Sequence, residues 1–161
     1  MSEQVGTGIA GLDDVLRGGL PRGRTYLVQG APGVGKTTLA MQFLREGVKQ
    51  GERVLYISMS ETRDETLLVA RSHGWSMDGL DILQLSTFDG GDPDEDNTVF
   101  YPSEVELRDT VQRIVAEVSE KRPARVVIDS LSEIRLLSQT ELQFRRQVMR
   151  LRHLFSHGDA T

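Results

Sequence analysis

The stretch Gly30-Ala31-Pro32-Gly33-Val34-Gly35-Lys36-Thr37 constrains this chain more than any other. It reads G-x-x-x-x-G-K-T, the pattern of a loop that wraps phosphate groups. Such a loop needs a strand before it and a helix after it. Thr25-Tyr26-Leu27-Val28-Gln29 is short, apolar and β-prone, and predicts the strand. Thr38-Leu39-Ala40-Met41-Gln42-Phe43-Leu44 has the apolar spacing of a helix. Glycines allow consecutive backbone N–H groups to turn inward and form an anion nest, and the helix N-terminus adds partial positive charge. Lys36 reaches the β- and γ-phosphates as a point charge, and the Thr37 hydroxyl is offered to Mg²⁺. The expected nucleotide-binding run is Gly30, Ala31, Pro32, Gly33, Val34, Gly35, Lys36, Thr37 and Thr38, with Mg²⁺ as its cofactor.

A length of 161 residues corresponds to one domain or part of one, and 38% apolar residues suit a globular α/β chain. No apolar run is long enough to span a bilayer, and the first residues do not form a signal peptide. With no cysteine, disulfides and thiolate metal sites are excluded, and a cytoplasmic location is expected. The net charge of -5 comes from one loop holding Asp89, Asp92, Asp94, Glu95 and Asp96. No global attraction for nucleic acid follows.

Along the chain, Thr7 is expected to cap a short helix with Ile9, Leu12 and Leu16 on one face, ended by Gly18-Gly19. Gly6, Gly8 and Gly11 spell G-x-G-x-x-G, but a dinucleotide fingerprint must follow a strand within a βαβ unit, and only five residues precede it. A helix over 36–49 should bury Leu39, Phe43 and Leu44 and stop at Gly51. Residues 53–59 form a nearly continuous apolar run, as in a buried parallel strand. A helix over 64–73, with Leu67, Leu68 and Ala70 inward, precedes a stop at Gly74 and a strand over 80–85. The acidic loop spans about 87–102. Ser103 and Glu106 predict a capping box, followed by an apolar face of Val105, Ile114, Val115 and Val118. Residues 125–129 form another buried strand. Thr140 caps a last helix in which Phe144, Val148, Leu151 and Phe155 share a face, and Gly158 ends it. Alternating strands and helices behind a phosphate loop predict a doubly wound α/β domain with a mostly parallel sheet flanked by helices.

Asp129 closes its apolar strand, the form of the second nucleotide motif, whose carboxylate holds Mg²⁺ directly or through water. Glu61 follows a strand end on the side of the sheet where ligands bind, and is the candidate general base orienting water. Asp92, Asp94 and Asp96 have EF-hand spacing. Asn97 stands at the glycine position and Ser103 at that of the bidentate glutamate, so a solvated loop is expected there instead of a Ca²⁺ site. His73, His153 and His157 lack ligand spacing. Arg145, Arg146, Arg150 and Arg152 form a basic face, read as solvated or as a contact for another subunit or nucleic acid.

The chain resembles KaiC-type ATPases of the RecA superfamily of P-loop NTPases over nearly its whole length. The resemblance rests on Thr7-Gly8-Ile9, Gly11-Leu12-Asp13, Gly18-Gly19-Leu20-Pro21, the phosphate loop and Gln42-Phe43-Leu44. It continues through Ser60-Glu61-Thr62, Arg71-Ser72, Gly74-Trp75 and Arg125-Val126-x-Ile128-Asp129-Ser130. It implies ATP hydrolysis with Mg²⁺, a hexameric ring with nucleotide between neighbours and, in some members, Ser or Thr autophosphorylation. The family includes a circadian clock protein with paired glutamates where this chain has Ser60-Glu61, so only Glu61 is left for the base role. It also implies that 1–161 is a partial domain, stopping where the family begins a strand placed between the phosphate-loop strand and the Asp129 strand. Unpaired ladder groups would then cost about 1–3 kcal/mol each. Two other readings share this core. One is a RadA-like DNA-dependent ATPase, disfavoured because the expected DNA loop after Asp129 holds only Arg135 as a basic residue. The other is a nucleotide-gated assembly module with little turnover.

Overall fold

The computed structural model describes residues 3–85 and 103–161, the side chains of 103–105 excepted. In chain order the elements are β1 (Gln4–Val5), α1 (Ala10–Val15), β2 (Leu20–Pro21), α2 (Lys36–Lys49), β3 (Val54–Ser58) and α3 (Arg63–Ser72). Then come β4 (Leu80–Gln84), α4 (Ser103–Lys121), β5 (Arg125–Asp129), α5 (Leu131–Leu137) and α6 (Glu141–His157). The main sheet runs β4-β3-β5, all parallel. Ser58 stands beside Gln84 on one side and Asp129 on the other, so the three strands end at one level.

Every residue of β3 is buried because both of its faces are covered. Leu55, Ile57 and Met59 join Leu107, Val111 and Ile114 of α4, Ile134 of α5, and Leu151 and Phe155 of α6. Val54 and Tyr56 pack with Phe43 and Leu44 of α2, with Leu80 and with Val5. The continuous apolar run thus splits by the two-residue strand period into two cores. Each fully buried aliphatic or aromatic side chain contributes roughly 1.5–3 kcal/mol. The expected α/β class with a parallel sheet flanked by helices is the observed one.

Several boundaries match the sequence reading. Helix α2 begins at Lys36, and Gly51, at φ +74°, follows its end. The Thr140 hydroxyl accepts from the Gln143 N–H and caps α6, which Gly158 closes. Helix α4 starts at Ser103 as expected, but the Ser103–Glu106 capping box and Val105 involve side chains outside the described residues. The acidic loop, with its EF-hand-like spacing, also lies outside them.

Other expectations are corrected. Residues 25–29 form no strand, and Leu27 is 72% exposed. The physical reason lies in the sheet. The outer edge of β5 is met by Thr161, whose carbonyl accepts from Val126 N–H at 2.9 Å and whose N–H donates to Ala124 O at 3.0 Å. Gly23 N–H in turn donates to Thr161 Oγ1 at 2.9 Å. The segment leading to the phosphate loop is therefore separated from β5 by Thr161 and finds no ladder of its own. Leu68 points outward, and Thr66 and Ala70 take the buried face of α3. On α2, Met41 is buried where Leu39 was expected, and Leu39 is only half-buried. Thr7 is not the N-cap of α1: Ile9 occupies that position without a side-chain cap, and Thr7 bonds through its N–H and hydroxyl to Asp13 Oδ1. Strand β1, pairing antiparallel with β2, and helix α5 were not foreseen.

One buried charge ties distant segments together. Arg125, 0% exposed, donates from Nε to Glu52 and from Nη1 to the carbonyls of Gly6 (2.6 Å) and Phe43 (2.9 Å). Its Nη2 donates to Gln50 Oε1 at 3.2 Å, and its guanidinium lies 4.8 Å from the centre of the Phe43 ring. Helix α2 passes close overhead: a Cβ on Gly47 would come within 2.7 Å of Arg125 Cδ and 2.8 Å of Val54 Cγ1. Two effects oppose each other in Gly47→Ala. Alanine gains about 1 kcal/mol in helix propensity, while overpacking against a buried guanidinium costs about 1–3 kcal/mol. The clash wins, so Gly47→Ala should lower the urea midpoint of unfolding rather than raise it.

Candidate functional site

The loop 30–37 meets α2 with two glycines in the left-handed region, Gly33 at φ +80° and Gly35 at φ +91°. Side chains rarely adopt this conformation, and open space beside both Cα atoms shows that conformation, not crowding, requires glycine. Gly35 is the N-cap of α2 and provides no side-chain cap. The first N–H groups of the helix are thus left to a ligand or to water. Lys36 arches back over the loop, its Nζ donating to Gly30 O at 3.0 Å and Ala31 O at 2.9 Å. Pro32 and Val34 lie on the exposed rim of the loop, and Thr38 sits half-buried in the first turn of α2.

Thr37 and Asp129, 92 residues apart, are joined by a 2.6 Å hydrogen bond from Thr37 Oγ1 to Asp129 Oδ2. The same carboxylate oxygen accepts from Tyr56 Oη at 2.8 Å. Parallel register explains the meeting: β5 and β3 end side by side, and the N–H of Met59 donates to Asp129 O at 2.9 Å. The peptide after Asp129 is cis.

Glu61 lies in the turn after β3. Ser58 Oγ donates to its carbonyl at 2.6 Å. Thr62 and Glu65 form a capping box that starts α3 and fixes the direction of the turn. The box was legible as Thr62-x-x-Glu65 but was not read from the sequence. Glu61 Oε2 is buried and lacks a hydrogen-bond partner among the described residues. Burial first, then repulsion from Asp129 and Glu65, pushes its carboxyl above the ordinary carboxylate range. A carboxylate raised this way is suited to holding a proton during a reaction.

These groups fit a magnesium-bound phosphate chain. The uncapped amides and Lys36 suit an anion, while the Thr37 hydroxyl and Asp129 carboxylate are hard oxygen donors. Among the described residues no three His, Cys, Asp or Glu side chains cluster as metal ligands. Tyr56 is the residue that sequence reading missed at this site. Its signal was a lone phenol in an otherwise aliphatic buried strand, whose hydroxyl needs a partner.

The remaining candidates lie elsewhere. Gly6 and Gly8 precede α1 and Gly11 lies within it, and β1 pairs antiparallel with β2, so no βαβ unit surrounds them. Arg145, Arg146, Arg150 and Arg152 are exposed on α6, and Arg135 pairs with Glu141. The ring centres of His153 and His157 lie 4.0 Å apart, the rings tilted by 49°, at the end of α6. Trp75 stacks on His73 at 4.5 Å, and the Arg45 guanidinium lies 4.8 Å from its ring centre, which fastens the end of α3 to α2. Among the described residues no helix is long and apolar enough to cross a membrane.

Comparison with known proteins adds an independent line. A family model described as "ATPase: KaiC" matches residues 5–161. A circadian clock oscillator protein KaiC from Parathermosynechococcus lividus is 35% identical over 157 residues, covering 96% of this chain and 29% of that protein. The KaiC proteins of Parasynechococcus marenigrum (strain WH8102) and Prochlorococcus marinus (strain MIT 9313) are 32% and 31% identical over 156 residues, each covering 92% of this chain. The chain spans 29% to 30% of the length of these curated relatives.

Proposed function

The chain belongs to the KaiC family of ATPases, and from that membership we propose that it binds and hydrolyses Mg·ATP as a RecA-like regulatory or signalling module. The observation that supports this most is the convergence of Thr37, Asp129 and Glu61, whose Oε2 lacks a partner among the described residues, near the ends of two adjacent parallel strands. In this reading residues 30–38 hold the phosphates, with Lys36 releasing the Gly30 and Ala31 carbonyls to meet them. Thr37 and Asp129 hold the cation. Bound Mg²⁺ supplies neutralisation of the phosphate oxygens. Glu61 orients a water for in-line attack and takes its proton. Residues 1–161 are then part of one such domain in a cytoplasmic protein. A hexameric ring and Ser or Thr autophosphorylation are proposed for the whole protein, as is the clock role that its relatives' names carry.

Glu61→Gln tests the reading. It should retain ATP binding and slow phosphate release by about 10²–10⁴-fold. A variant that hydrolyses ATP at the wild-type rate would remove Glu61 from the role. The nucleotide-free protein gives a second readout. The native carboxyl holds its proton more tightly than the unfolded one, whose ordinary value is 4.5. Wild-type stability therefore falls as pH rises from 4.5 through the raised native value. The Gln variant lacks that loss, so its melting temperature should exceed wild type at neutral pH and converge with it in acid.

A nucleotide-gated assembly module is the second reading. It is favoured by the exposed apolar run of Tyr26, Leu27 and Val28 beside the loop. Nucleotide-dependent association with no measurable turnover would select it. Nothing adds to the DNA-dependent reading: the segment after Asp129 is helix α5, and its Arg135 is engaged by Glu141.

A further inference from the structure

Tyr56 sits mid-strand in β3, 1% exposed, with its ring in the core beneath α2. A phenol in such a place is costly unless its hydroxyl is satisfied. Here it is satisfied by a carboxylate, with Tyr56 Oη donating to Asp129 Oδ2 at 2.8 Å. Thr37 Oγ1 donates to the same oxygen at 2.6 Å. Both described hydrogen bonds to this side chain therefore fall on Oδ2, and Oδ1 accepts neither. A carboxylate at a strand end turns readily about χ2, where its torsional wells are broad. Two donors on one oxygen, one of them on a ring locked in the core, remove that freedom. The Thr37 hydroxyl, donating its hydrogen bond to Asp129, keeps its lone pairs for a cation.

We infer that Tyr56 is a positioning residue for the cation site: its buried hydroxyl fixes the Asp129 carboxylate so that Oδ1 and Thr37 Oγ1 meet Mg²⁺ together. This rests on the reading of Thr37 and Asp129 as the Mg·ATP site. In this role Tyr56 acts through Asp129, not on the cation itself. Outer-sphere partners of this kind are worth about 10–100-fold in metal affinity.

Tyr56→Phe keeps the ring and removes one oxygen. ATP binding is followed by calorimetry across a Mg²⁺ titration and again in EDTA. The Mg²⁺ midpoint should rise about tenfold in the variant. Affinity in EDTA should be unchanged, since the loop amides and Lys36 do not involve Tyr56. An unchanged Mg²⁺ midpoint would overturn the proposal. So would an equal loss of affinity with and without Mg²⁺, which is the mark of a merely structural role. If wild type itself shows no Mg²⁺-dependent ATP binding, the nucleotide reading fails and the proposal with it. A wild type that binds normally beside an unaffected Tyr56→Phe rejects Tyr56 alone.

Discussion

Lys36→Ala should abolish measurable ATP binding while leaving the fold intact. Two contributions disappear together. In the proposed site the ammonium supplies a point charge to the phosphates, and its bonds to Gly30 O and Ala31 O clasp the loop in its curved form. Each hydrogen bond to a charged group is worth about 1.5–3 kcal/mol, so losing those made to phosphate weakens binding by at least about 100-fold. The nucleotide-free protein should hardly change in stability, because the Lys36 bonds are solvent-exposed. Calorimetric titration with Mg·ATP and a thermal melt of the same sample check both halves. Wild-type affinity in the variant would overturn the phosphate-loop assignment.

Arg125→Met should produce the largest loss of stability of any change considered. The side chain is fully buried and satisfies Glu52, Gln50 and the carbonyls of Gly6 and Phe43. Methionine fills much of the volume but leaves those acceptors dry and unpaired. Breaking a buried ion pair from one side costs about 3–5 kcal/mol, a large part of the roughly 5–15 kcal/mol that holds a domain folded. Arg125→Lys should rescue little, since an ammonium cannot reproduce the guanidinium fork. Urea unfolding measures the loss, and a change below 1 kcal/mol, roughly the value of an exposed pair, would show that the network is slack.

The same network sets an acid limit. Burial alone would raise the Glu52 carboxyl, but hydrogen bonds and charges from Arg22 and Arg125 outweigh it and hold the group below its ordinary value of 4.5. A depressed native value means the unfolded chain binds the proton more tightly. The stabilisation is therefore present above pH 4.5 and is lost as pH falls through the native value.

How much of this was legible depended on range. Gly33 and Gly35 could be read because left-handed backbone before a helix selects glycine locally. Helix α2, the strands β3 and β5 and the Thr140 cap could be read because apolar period and capping chemistry act within a few residues. Leu68 could not be placed, since its outward position depends on where Thr66 and Ala70 meet the rest of the molecule. Arg125 gave no warning. At the head of an apolar strand an arginine ordinarily points to water, and its partners lie at positions 6, 43, 50 and 52.

The sequence alone determined the α/β class and marked the loop 30–37 with Lys36, Thr37, Asp129 and Glu61 as the candidates for the chemistry. Each follows from residue type within a short window. Only the tertiary structure decided that residues 25–29 stand apart from the sheet, that Arg125 locks the N-terminal segment to α2, and that Tyr56 shares an oxygen of Asp129 with Thr37. These are contacts between segments 73 to 119 residues apart. Strand register and burial bring such groups together, and no local propensity encodes which buried polar atom finds which partner.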